Sequence, residues 1–140
     1  MSEKLLWKAA TSEILKAIPN PASEAYENKI KGTEVTFLGV DEQPDFATIW
    51  IDFYPDKKVI ELKSLKQYFY QYRNIIVSYE RFINIVYDHL MEVYEPHRLR
   101  ITSVFNVRGG FSSKLTIDSD WKARGGSETF EDWKKDSETW

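Results

Sequence analysis

Gln43-Pro-Asp-Phe-Ala-Thr-Ile-Trp-Ile-Asp-Phe-Tyr-Pro-Asp-Lys-Lys-Val-Ile-Glu-Leu-Lys-Ser-Leu-Lys-Gln-Tyr-Phe-Tyr-Gln-Tyr-Arg-Asn74 changes period in the middle, and the change decides the fold. Ala47, Ile49, Ile51 and Phe53 alternate with Thr48, Trp50, Asp52 and Tyr54, which is the pattern of a half-buried strand. Pro55-Asp56-Lys57-Lys58 has turn chemistry. Val59 and Ile60 resume a short strand. Leu65, Tyr68, Phe69 and Tyr72 then fall at helical spacing. Ser64 reads as the N-cap of that helix.

Outward from this stretch, residues 5–18 read as a short amphipathic helix on Leu6, Ile14, Leu15 and Ile18, ended by Pro19-Asn20-Pro21. Residues 23–31 are polar and read as a linker. Residues 33–39 are the first core strand. After a connection at Ile75-Ile76-Val77, Ser78 caps a second helix that runs to about Tyr94. Residues 99–107 and 112–118 are two further strands joined at Arg108-Gly109-Gly110. The order strand, strand, helix, helix, strand, strand predicts an α+β domain: a four-stranded antiparallel sheet with two helices on one face. The expected division is an N-terminal helical arm (1–30), a core domain (31–118) and a C-terminal Trp-rich tail (119–140). Trp121, Phe130, Trp133 and Trp140 in that polar tail suggest docking against a neighbour.

The chain has 140 residues, enough for one hydrophobic core. A net charge of −3 gives no general electrostatic case for nucleic acid. Five tryptophans and eight tyrosines exceed what a small core needs and point to an aromatic interface or ligand site. Cysteine is absent, which excludes disulfides, thiolate metal sites and a thiol nucleophile. There is no membrane-length apolar run and no secretory h-region in the first ten residues, so the expectation is cytoplasmic and free of membrane. His89 sits on an apolar helix face and reads as a packed core residue. His97 reads as a turn residue, and the pair makes a poor metal site.

Several polar residues have the types and places that a ligand site needs. Asp45 enters a strand from a proline turn, where a carboxylate either caps local amides or faces a ligand with a raised pKa. Glu80 lies in the first turn of the second helix, where it either complements the helix dipole or accepts two N–H bonds from a planar edge. Lys63, Ser64 and Lys66 cluster at a helix start, a plausible anion site, with Glu61 beside them. Gly109-Gly110 permits close backbone approach to a phosphate.

Taken in order, Gln43-Pro44-Asp45-Phe46, Glu61-Leu62-Lys63-Ser64-Leu65-Lys66, Arg73-Asn74 and Arg108-Gly109-Gly110 resemble the QueF family. Its members are nitrile reductases that convert 7-cyano-7-deazaguanine (preQ0) to the aminomethyl compound (preQ1) for tRNA nucleoside synthesis. The resemblance implies a tunnelling fold, a homo-oligomeric ring and a deazapurine bound at subunit interfaces. It implies Asp45 as proton donor and Glu80 as the anchor of the base, with Tyr79 where the family has histidine. It also implies NADPH as cofactor, held by Glu61, Lys63, Ser64, Lys66, Arg108, Gly109 and Gly110. The family's cysteine nucleophile falls at Gly39, in a loop one residue shorter than the family pattern. The thioimide route is therefore closed, and Asp41 and Glu42 are candidate replacement groups. The alternative reading is a cysteine-less relative that binds a purine- or pterin-like ligand and performs different chemistry, or none.

Overall fold

The computed structural model describes residues 5–130. The chain is α+β, with a six-stranded mixed sheet ordered β1-β6-β3-β4-β7-β8. These strands are β1 (Leu5–Leu6), β3 (Asn28–Leu38), β4 (Pro44–Tyr54), β6 (Ile75–Ile76), β7 (Arg98–Arg108) and β8 (Phe111–Asp118). A separate two-stranded sheet pairs β2 (Ala17–Pro19) with β5 (Lys58–Ile60). The helices are α1 (Leu62–Tyr70) and α2 (Tyr79–Tyr94).

The expected four strands are consecutive in the large sheet. β3, β4, β7 and β8 pair antiparallel in that order. The addition is β6, expected as a connection. It pairs parallel with β1 and touches β3 only at Leu38–Ile76. Residues 28–37 of β3 therefore have no strand partner on that side among the described residues, and β8 is open at the opposite edge.

The period-two reading of β4 holds. Ala47, Ile49, Ile51 and Phe53 are buried, and they share one core with Leu65 and Tyr68 of α1 and Phe82, Val86 and Leu90 of α2. Both helices thus cover the same face. Phe82 is stacked on Phe37 at 4.8 Å between centroids and edge-on to Tyr72 at 5.0 Å, and Tyr68, Tyr72, Tyr87 and Tyr94 are buried in the core.

Three readings need correction. Residues 5–18 do not form an α-helix, because their backbone groups bond to the rest of the chain instead. Thr11 exchanges hydrogen bonds with the Gln71 side chain, Lys16 N donates to Ser64 Oγ, and Lys16 O accepts from Tyr94 Oη and Glu61 N. Leu15 alone of the expected apolar set is buried. The linker ends early, since β3 begins at Asn28 and its first half pairs with the far end of β4. The N-cap of α1 is Glu61 rather than Ser64, with the carboxylate accepting from Ser64 N at 2.8 Å and Lys63 N at 3.2 Å. Ser78 does cap α2, through Arg81 N.

Residues 119–130 fold back on the sheet. Phe130 N donates to Asp120 Oδ2 at 2.9 Å, and the Phe130 ring packs on Tyr54 at 4.9 Å. Trp121 is partly exposed, while Trp133 and Trp140 lie outside the described residues.

His89 is tied into the core as expected. Its Nδ1 lies 2.7 Å from Tyr68 Oη, which also bonds Tyr72 Oη at 2.8 Å. Burial pushes the imidazole pKa down, against the opposing pull of Glu92 and Asp88. The unfolded chain therefore binds the His89 proton first as pH falls. This contribution is full above the ordinary histidine value and shrinks as pH drops below it toward the folded value. Urea midpoints are expected to fall between about pH 7.5 and about pH 5.5, and to fall less in His89→Gln. An identical pH dependence in the variant would remove this group from the account.

Candidate functional site

Asp45 is the second residue of β4 and pairs across the hairpin with Phe37. The intervening loop is short and closed by its own backbone. Gly39 N donates to Gln43 O at 2.8 Å, and Glu42 N donates to Gly39 O at 2.7 Å. This turns the Asp45 carboxylate inward, where the residue is only 7% exposed. A carboxylate so buried needs partners. Arg108 at the end of β7 supplies one, with Nη1 3.0 Å from Asp45 Oδ1. Tyr79 supplies another, its hydroxyl 3.5 Å from the same oxygen. The Tyr79 ring is fixed in place by stacking on Phe105 at 4.1 Å and 5°.

Arg108 is itself braced by the loop. Its Nη2 donates to Gln43 Oε1 at 3.1 Å and lies 3.9 Å from Asp41 Oδ2. Asp41 also accepts from Gln43 N at 3.2 Å. Burial pushes the Asp45 carboxyl above its ordinary value, with Arg108 pulling it back down and Asp41 adding to the rise. The Tyr79 phenol is also raised, first by burial and then by the Asp45 charge.

Gly39, Asp45, Tyr79 and Arg108, widely separated in sequence, thus meet in one place. Glu80 follows Tyr79 directly but is exposed, and its backbone carbonyl accepts from the Asn84 side chain at 2.8 Å. Gly109 and Gly110 form the two-residue β7–β8 turn at φ 59° and 84°. Two successive positive φ values are what a tight hairpin requires, and glycine supplies them without strain.

The residues around α1 lie in a second place. Ser64 is buried, with its hydroxyl donating to Glu61 O at 2.8 Å and accepting from Lys16 N at 2.9 Å. Glu61 is engaged in capping, and the hydrogen bond from Ser64 N is the main reason its pKa is held low. Lys63 and Lys66 are exposed instead, and line a cleft of ≈ 790 Å³ between α1 and β3. Lys29, Lys31 and Arg73 line it too, with Ile30 and Phe69 among its apolar walls. The basic lining from β3 was not apparent from sequence, because residues 23–31 read as a linker. Arg73 carried a signal in its i, i+3 spacing from Tyr70, over whose ring it stacks at 4.2 Å. Arg108 does not join this cleft.

The scaffold and its two places define an α+β protein with a buried carboxylate–arginine pair at a hairpin and a basic cleft beside a helix start. The family model described as "QueF-like protein" matches residues 44–123, which takes in the motifs above apart from the Gly39 loop and Gln43. An NADPH-dependent 7-cyano-7-deazaguanine reductase of Thermomicrobium roseum is 40% identical over 116 residues, covering 81% of this chain and 91% of that protein. The enzyme of the same name from Chlorobaculum parvum is 45% identical over 74 residues, 53% of this chain and 64% of its own length. The chain belongs to the QueF family. The fold agrees: the crystal structure of the archaeosine synthase QueF-Like in the apo form matches with a TM-score of 0.59 at 12% identity, over 69% of this chain and 94% of that one. No helix among the described residues is long and apolar enough to cross a membrane.

Proposed function

We propose that this protein is a cytoplasmic, ring-forming member of its family with the tunnelling fold, binding a 7-deazaguanine-type base at subunit interfaces as part of 7-deazaguanine metabolism. The observation that carries this is the meeting of Asp45, Tyr79 and Arg108 from three elements, beside the exposed Glu80. A buried carboxylate with a raised pKa is suited to supplying a proton, and an exposed glutamate at a helix start is suited to a base's paired N–H donors. The names of the relatives support the substrate class.

NADPH fits the basic cleft, whose exposed lysines and apolar walls suit a phosphate-bearing, partly aromatic group. Lys63, Lys66 and Arg73 would hold it there, and its chemistry is hydride donation. Glu61 and Ser64 shape the helix start under those lysines. Gly109 and Gly110 form the turn that follows Arg108. The second reading, a relative with different or no turnover, is favoured by one observation: no cysteine exists to accept a nitrile.

The ring reading is supported by two edges without a further strand neighbour among the described residues, residues 28–37 of β3 and the outer side of β8, where strands of another copy could add. Light scattering at micromolar concentration is expected to give a homo-oligomer, and a stable monomer would end the ring. Calorimetry with 7-cyano-7-deazaguanine tests the ligand, and no binding heat in the assembled protein would end the base-binding reading.

A further inference from the structure

Position 39 and Asp45 compete for one volume. A Cβ built on Gly39 would lie 2.5 Å from Asp45 Oδ2 and 3.2 Å from Asp41 Oδ1. The first distance is too short for any side chain to coexist with the carboxylate as placed. Asp45 cannot simply drift away, because its other oxygen is held by Arg108 at 3.0 Å and met by Tyr79 at 3.5 Å. Arg108 in turn is held by Gln43, inside the same short loop. The loop, the glycine and the arginine form one closed arrangement around the carboxylate.

We propose that Arg108 is a positioning residue that clamps the Asp45 carboxylate over Gly39, in the space that a side chain at position 39 would occupy. The glycine is then a requirement of this geometry and not only the loss of a nucleophile. This deepens the reading of Asp45 as the site's carboxylate and rests on it. It moves Arg108 from a phosphate contact to a partner of Asp45. The charged and titratable groups facing Asp45 are Arg108 from β7, Tyr79 from α2 and Asp41 from the loop. Arg108 is the one cation among them, so its removal has a definite sign: the carboxylate loses its compensating charge and holds its proton to higher pH.

Two measurements on the full chain without ligand test this. Carboxyl-carbon NMR titration follows Asp45 in wild type, Arg108→Gln and Arg108→Lys. The midpoint is expected to rise in Arg108→Gln and to return part of the way in Arg108→Lys, which keeps the charge. An unchanged midpoint in Arg108→Gln would overturn the clamp. The second measurement is a double-mutant cycle on urea midpoints with Gly39→Ala and Asp45→Ala. The Gly39→Ala loss is expected to shrink when Asp45 is already truncated, since the obstructing oxygens are gone. An equal loss in both backgrounds would show that the two positions do not compete. Because neither measurement uses the base, failed base binding would sink the proposed function and leave the clamp standing.

Discussion

Wild-type protein mixed with NADPH and 7-cyano-7-deazaguanine is expected to show no thioimide-dependent NADPH oxidation and no covalent adduct by intact mass. A nitrile carbon is a poor hydride acceptor until a nucleophile converts it to an imine-like centre, and covalent catalysis divides that step into two easier ones. This chain has no thiol anywhere. Loss of a nucleophile costs on the order of 10⁶-fold in kcat in a well-studied serine hydrolase, so the effect here is a loss of detectable turnover by that route. Binding is expected to survive, because the contacts proposed for Glu80, Lys63 and Lys66 do not involve the missing cysteine. Steady NADPH consumption by the wild type would show that another group, or direct hydride addition, serves. An adduct on Gly39→Cys, with none on wild type, would identify the loop position as the nucleophile's.

Glu80→Ala is expected to weaken binding of the base about a hundredfold or more, the size of two lost charge-assisted bonds with the ligand's donors left unpaired. The residue is exposed on the first turn of α2, so the change should leave the fold intact and fall on affinity alone. Helix-dipole complementation, the alternative reading of Glu80, is worth only about 0.3–1 kcal/mol of stability. The two roles separate cleanly: calorimetry reads the first and urea unfolding the second. Unchanged affinity in the variant would reject Glu80 as the anchor.

The central strands and both helices were legible because their apolar residues keep a strict period, as in β4 and α2. The N-terminal segment was not. Leu6, Ile14 and Ile18 have helical spacing, yet Thr11 and Lys16 find side-chain partners at Gln71 just after α1, at Ser64 on α1 and at Tyr94 on α2 that no local pattern announces. The cap of α1 was misplaced for a similar reason: Ser64 looked like the better cap, but its hydroxyl is used to hold Lys16 N. At the site, the motifs single out Asp45 as a proton donor and Arg108 as a cofactor contact, and the structure brings the two together. Their contact was invisible, since it depends on the β4–β7 pairing, which starts at Ala47 opposite Phe105 and brings the neighbouring strand ends together. Gly39 read as an absence. Only the position of the Asp45 oxygen shows that the absence is filled.

The open side of β3 has a consequence for how the assembled protein would respond to its cofactor. Residues of β3 between Asn28 and Thr36 form one wall of the basic cleft, and the same backbone is the edge that the proposed assembly would use. In the proposed assembly one surface would serve two equilibria. A strand added there would order the wall before the dinucleotide arrives, and a bound dinucleotide would hold the wall ready for the strand. By linkage the two effects are equal in free energy. Apparent NADPH affinity would then rise with protein concentration across the assembly transition, and dilution would release the cofactor and the neighbour together.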